Sequence, residues 1–249
     1  MLCSNSERIL KSNNIPLPQH LDDIFALKKA GLWLSQNKNK NKSENESEIG
    51  FYLDVEKNLD EVTFCFVDIE STDSKPANGK LLEIGAIKYK LGSGELGKFH
   101  TLIHNEAIPK VISDLTGIKP DMLVGAPSER EGLLAFREFL GDSVFVAHNV
   151  NFDYGFLSSK LRSYDFMPLL NPRLCTQICS RAQILSKKHS LGFLNVFLGL
   201  NFTNLHRAHM DAKCALRVFE IAAIPVMLQD VATFKEFATK IQKKDYYGY

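Results

Sequence analysis

The chain has almost no net charge. Lys and Arg number 30 against 29 Asp and Glu, a formal balance of +1. No strong overall field draws it to a polyanion, so nucleic acid would have to be held by a local patch and by metal. It also lacks an apolar run long enough to span a bilayer. Its start, Met1-Leu2-Cys3-Ser4-Asn5-Ser6-Glu7, has no apolar core of the signal-peptide kind. These absences lead us to expect a cytoplasmic protein with no membrane partner. Cysteine is sparse and odd in number: Cys3, Cys65, Cys175, Cys179 and Cys214. That argues against a disulfide framework. Cys175 and Cys179 have no second close pair, which disfavours zinc and leaves thiols packed as small hydrophobes. What is present is ordinary globular material: 249 residues, 45% hydrophobic and 24% charged, enough for a sizeable core.

Residues 1–60 read as an appendage. Leu21, Ile24, Phe25, Leu27, Leu32 and Leu34 fall at roughly helical spacing within His20–Gln36. Gly31 weakens that helix. Asn37–Glu48 holds no apolar residue and reads as a linker. From Val62 the texture changes. Val62–Ile69, Leu81–Lys90 and Lys98–His104 read as strands of an antiparallel meander, with Gly92 and Gly94 in one turn. Short helical pieces follow between Ile108 and Ser128. Arg130–Leu140 reads as a helix closed by Gly141. Ser143–Ala147 is a strand; Phe152–Arg162, Ser190–Leu198 and Asp211–Ala223 are helices, the last limited by Pro225. The class is α/β, a mixed sheet flanked by helices. We divide the chain into an appendage at 1–60, a main domain at 61–225 and a tail at 226–249, which either packs back or docks a partner.

Three short stretches carry chemistry. Phe64-Cys65-Phe66-Val67-Asp68-Ile69-Glu70-Ser71 is a buried strand whose end turns Asp68 and Glu70 to one face. Two carboxylates there repel unless a proton or a metal ion lies between them. A solvated strand end has the same sequence pattern. Ala147-His148-Asn149-Val150-Asn151-Phe152-Asp153 leaves a strand and puts Asp153 in the first turn of a helix, where a carboxylate also suits the helix dipole. His206-Arg207-Ala208-His209-Met210-Asp211-Ala212 opens another helix with Asp211 and leaves His206 on the preceding loop.

Together, Asp68-x-Glu70, Ala147-His148-Asn149…Phe152-Asp153 and His206-x-Ala208-x-x-Asp211-Ala212 resemble, in order, the motifs of the DEDDh 3′→5′ exonucleases. These are DnaQ-like enzymes with an RNase H-like five-stranded mixed sheet. Leu82-Glu83-Ile84-Gly85-Ala86 and Leu115-Thr116-Gly117-Ile118 also resemble that family, and the likeness covers about residues 62–224. Within the family the sequence is similar to the proofreading epsilon subunits of bacterial DNA polymerase III and their free-standing relatives. Two positions depart from the pattern: Ser71-Thr72-Asp73 replaces Thr-Thr-Gly, and Cys175 precedes Thr176 where an Asp-Thr pair is common.

The resemblance implies metal-dependent hydrolysis of DNA from the 3′ end to nucleoside 5′-monophosphates. Two divalent ions, Mg²⁺ or Mn²⁺, would be held by Asp68, Glu70, Asp153 and Asp211, with His206 as general base. Ile69, Thr72, Thr116, Asn149 and Phe152 are candidates to touch the terminal nucleotides; for Ile69 and Phe152 a core position is the competing reading. DNA 3′ ends, single-stranded or frayed, and a DNA polymerase III alpha subunit are the implied partners. RNA trimming of the RNase T or oligoribonuclease kind stays open, as does a non-catalytic polymerase-binding module.

Overall fold

β1 (Phe64–Ser71) begins with four buried side chains and ends on the two half-buried carboxylates. A strand covered on both faces belongs in the middle of a sheet, and β1 is the third of five. β2 (Leu81–Lys90) and β3 (Gly94–Leu102) add antiparallel on one side. β4 (Val144–Ala147) and β5 (Arg173–Cys175) add parallel on the other, giving the order β3-β2-β1-β4-β5. The computed structural model describes residues 57–242. The expected helix at His20–Gln36, the linker at Asn37–Glu48 and the last residues of the tail lie outside them.

Among the described residues the α-helices are α1 (Lys110–Thr116), α2 (Glu129–Leu140), α3 (Val150–Ser163), α4 (Thr176–Gln183), α5 (Leu191–Phe197), α6 (Ala208–Met227) and α7 (Phe234–Ile241). Strand alternation sorts them into two layers. Cys65, Val67 and Ile69 of β1 pack with Leu133, Phe136 and Leu140 of α2 and Phe156, Leu157 and Leu161 of α3. Phe64 and Phe66 face the other way, onto Leu216 and Phe219 of α6. Phe64 lies 5.3 Å, ring centre to ring centre, from Phe219 and 6.0 Å from Phe237 of α7. The described part of the tail therefore packs back on the sheet. Asp68 and Glu70 continue the α6 face.

One glycine sets how closely α6 approaches. Gly85 of β2 pairs with Asp68, and a Cβ on it would lie 2.3 Å from the backbone nitrogen of His209. Only a residue without a side chain lets the start of α6 cross the sheet there, and that crossing carries Asp211 toward β1.

The structure shifts some element bounds. β3 starts at Gly94 rather than Lys98, because Gly92 and Gly94, both at positive φ, close the hairpin early. α6 runs on through Pro225 to Met227. Proline removes only one hydrogen bond this near a helix end, and Val226 beyond it is buried against the sheet. β5 and α4 were not read from the sequence: a three-residue strand running straight into a helix leaves little periodicity to find.

Candidate active site

The end of β1 and the start of α6 bring three acids together. One carboxylate oxygen from each of Asp68, Glu70 and Asp211 lies within 4.8 Å of the others. Asp153, in the first turn of α3, joins them from the far side of β1: its Oδ1 accepts the Ile69 N–H at 3.2 Å. The side chain between the two β1 acids thus sits in the core, while its amide fixes the fourth carboxylate.

Like charges this close cannot all ionise without help. Burial, then the charges of Asp153, Asp211, Glu70 and Glu83, push the Asp68 carboxyl well above its ordinary range. Burial and the Asp211, Glu83 and Asp153 charges push Glu70 up to about 8. Asp153 is pushed up to about 8 by burial, against its backbone hydrogen bonds. Asp211 is raised by burial, with the His206 N–H pulling the other way. Its Oδ2 accepts that N–H at 3.2 Å, while its Oδ1 is buried with no hydrogen-bond partner. A buried carboxylate oxygen without a donor is costly. Oxygen-only donors, mutual repulsion and an orphan acceptor are together what a hard divalent cation would relieve, so the residues present fit such ions.

His206 stands on the loop just before α6, exposed and at φ +69°. Left-handed backbone is uncommon for a residue with a side chain, and the bond from its N–H to Asp211 holds it.

Next to the acids is a carboxylate of the opposite kind. Glu83 of β2 is fully buried, directly across from Glu70 in the β1–β2 register. Its Oε2 accepts from Arg207 Nε at 3.0 Å and from the Ala208 N–H at 3.1 Å. Its Oε1 accepts from Arg207 Nη2 at 3.1 Å, with His100 Nε2 at 2.6 Å and His209 Nδ1 at 3.3 Å. Burial alone would raise this acid; the hydrogen bonds from His100, Arg207 and Ala208 outweigh it and bring it down to about 2. Glu83, His100 and His209 are close enough to share an ion, but the guanidinium already occupies both oxygens. This is a clasp that pins the first residue of α6. The sequence does not announce it: Glu83 stands inside the family-like string Leu82–Ala86 and His209 inside the His206–Ala212 string, neither with a role of its own. The signal was Arg207 beside His206, a cation needing a buried partner.

A second support lies under α3. His148 Nε2 is 2.8 Å from the His189 carbonyl and Nδ1 is 2.9 Å from Thr176 Oγ1. Burial lowers the ring to about 4, so it is neutral at pH 7: Nε2–H donates to His189 and Nδ1 accepts from Thr176. Thr176 makes this bond with Cys175 buried before it. Asn149 follows at φ +73°, a conformation Asn tolerates, and its carbonyl accepts the Phe152 N–H at 2.9 Å. That turn starts α3 and points its first turn, with Asp153, at β1.

The remaining candidates scatter around this centre. Thr72 ties both backbone and Oγ1 to Lys80, closing the loop after β1. In that loop Ser71 Oγ donates to the Asp73 backbone carbonyl at 2.8 Å and Asp73 Oδ1 accepts the Lys75 N–H at 2.8 Å, and the second of these bonds is one glycine at 73 could not make. Thr116 spends its hydroxyl on Ile112 and Ile118, yet borders a cleft of about 450 Å³ shared with Arg207, His209 and Met210. Phe152 is half-buried, 6.0 Å from the Phe156 ring.

Comparison with known proteins identifies the family and the fold. The family model described as "Exonuclease" (RNase T) matches residues 65–219. A PolC-type DNA polymerase III from Staphylococcus haemolyticus is 31% identical over 198 residues, covering 79% of this chain. One from Staphylococcus epidermidis is 34% identical over 171 residues, covering 68%. The chain spans only 14% and 12% of those two relatives. Among solved structures, Escherichia coli exonuclease I in complex with a dA16 oligonucleotide superposes with a TM-score of 0.59 at 16% identity, over 66% of this chain and 41% of that one. Cell-death related nuclease 4 gives 0.56 at 16% identity, over 66% and 64%. The fold is that of the DEDD exonucleases, and the chain belongs to the RNase T-type exonuclease family, the DnaQ-like 3′→5′ exonucleases.

Proposed function

We propose that this chain removes nucleotides from the 3′ end of DNA as nucleoside 5′-monophosphates, in the proofreading of a bacterial replicative polymerase. The observation that carries the reading is the set of Asp68, Glu70 and Asp211 oxygens within 4.8 Å of one another, with Asp211 Oδ1 buried and unpartnered. Asp68, Glu70 and Asp211 would hold one Mg²⁺ or Mn²⁺, and Asp68 with Asp153 a second. Such ions supply positive charge to the scissile phosphate and make water more acidic.

The protein's own groups do the rest. His206, exposed and held at the lip by Asp211, takes the proton of the attacking water on a ring nitrogen. Water oxygen bonds to the terminal phosphorus, the bond to the 3′ oxygen of the next nucleotide breaks, and that oxygen gains a proton. Thr72, Asn149, Phe152 and Thr116 would orient the terminal nucleotides; Phe152 adjoins Asp153 in sequence, and Thr116 lines a cleft with Arg207, His209 and Met210. The relatives are DNA polymerases by name, which favours DNA over RNA and a polymerase III alpha-type subunit as partner.

The test is digestion of 5′-labelled single-stranded DNA and RNA of one sequence with Mg²⁺, wild type against Asp68→Asn. We expect stepwise shortening of DNA from the 3′ end by the wild type alone. Shortening of RNA only would replace DNA with RNA as substrate, and no metal-dependent shortening of either would leave a binding module.

A further inference from the structure

α6 ends on an apolar face that nothing among the described residues covers. Ile224, Met227 and Leu228 are 57%, 45% and 83% exposed. With Ile221 they sit at i, i+3, i+6 and i+7, positions that share one helix face. Together with Tyr89 and Leu91 at the β2–β3 hairpin they line a groove of about 430 Å³. A second hollow, of about 480 Å³, continues it through Leu91 and Met227 to Asn58, Leu59 and Asp60. The groove lies along the last turns of α6, at the opposite end of that helix from Asp211.

Where the chain enters the described region decides what fits. The Leu59 N–H donates to the Ala232 carbonyl at 2.9 Å and the Phe234 N–H to the Lys57 carbonyl at 3.0 Å. Asn58 bridges Thr233. The backbone is therefore fixed at the groove's end, and everything before residue 57 starts from there. Residues 37–56 have a contour of roughly 65 Å, ample to bring residues 20–36 back over the groove. That segment has Leu21, Ile24, Phe25 and Leu32 at helical spacing, an apolar stripe that needs a surface. A tether of this kind keeps it at roughly millimolar local concentration, so a weak contact suffices.

We propose that the apolar stripe of residues 20–36 docks in the groove lined by Ile221, Ile224, Met227, Leu228, Tyr89 and Leu91 of the same chain. Docking would cover the exposed end of α6 and place the N-terminal segment at the end of that helix opposite Asp211.

The chain supplies its own probe, since its single tryptophan, Trp33, lies in the segment. Emission and acrylamide quenching of Trp33 are measured on the full-length chain, folded and in urea. The wild type should give a shielded Trp33, with blue-shifted emission and slow quenching. Ile224→Glu with Leu228→Glu should move both readings to the urea values, as should Leu21→Glu with Phe25→Glu, which leaves the domain untouched. Val124→Glu with Leu185→Glu, exposed apolar positions elsewhere, should leave Trp33 shielded. Exonuclease activity and melting temperature report that each variant is folded. The inference is overturned by a Trp33 as exposed in the folded wild type as in urea. Shielding that ignores both pairs of variants, or that disappears on dilution as expected for a second copy, overturns it too.

Discussion

Glu70 and Glu83 face each other across β1 and β2, on the same side of the sheet, and end in opposite states. Glu83 has a guanidinium, a backbone amide and two imidazoles around it, and is held near 2. Glu70 is pushed up to about 8 by burial and by the charges of Asp211, Glu83 itself and Asp153. Like charges paired directly across strands destabilise a sheet. Here one of the two is neutralised by the protein and the other is left for something from outside. The difference separates an acid that builds the fold from an acid kept for chemistry.

Exchanging each glutamate for its neutral isostere should break the comparison in opposite directions. Glu70→Gln removes a carboxylate that the site keeps for cations, and hydrolysis should fall roughly 10³-fold or more. Its metal-free melting temperature should rise, because a repulsion is gone; calorimetry and a nuclease assay check both. His206→Gln should lower the rate roughly 10²- to 10³-fold, with the melting temperature unchanged. Glu83→Gln should do the reverse: it leaves the partly buried Arg207 beside a neutral amide, a loss of about 2–3 kcal/mol read from urea unfolding. Activity would then fall only as far as the start of α6 moves.

The two acids also divide the pH range. Glu83 has a depressed pKa, so its contribution is present above the ordinary value of 4.5 and lost as pH falls toward 2. Glu70 and Asp153 have raised pKa values, so theirs is present below the ordinary 4.5 and 3.8 and lost as pH rises through about 8. Metal-free protein should therefore be most stable near pH 4 to 5 and weaken on both sides. Saturating Mn²⁺ should remove the alkaline loss and leave the acid one. Thermal melts from pH 3 to 9 with chelator or Mn²⁺ decide this.

The carboxylates were legible because strand alternation and helix starts are local patterns: Asp68 and Glu70 share a face by period, and Asp153 and Asp211 each follow a helix signal. Their meeting was legible only through resemblance, since nothing in the spacing of Asp153 says it will accept the Ile69 amide. The clasp was harder still. Glu83, His100, Arg207 and His209 come from three elements, and any of them reads alone as a surface charge. Gly85 reads as a weak point in a strand until α6 lies 2.3 Å from its missing Cβ. The left-handed turns at Asn149 and His206 fall on residues that do not announce them as glycine would. The aromatic side of α7 had no stated destination in the sequence, because one apolar face fits a partner as well as its own sheet.

Calorimetric titration of the chelator-treated chain with Mn²⁺, repeated on Asp68→Asn, tests the central claim most directly. The account predicts saturable binding by the wild type and its loss in the variant, with the Glu83 clasp intact in both. Equal binding by the two proteins, or none by the wild type, would contradict it.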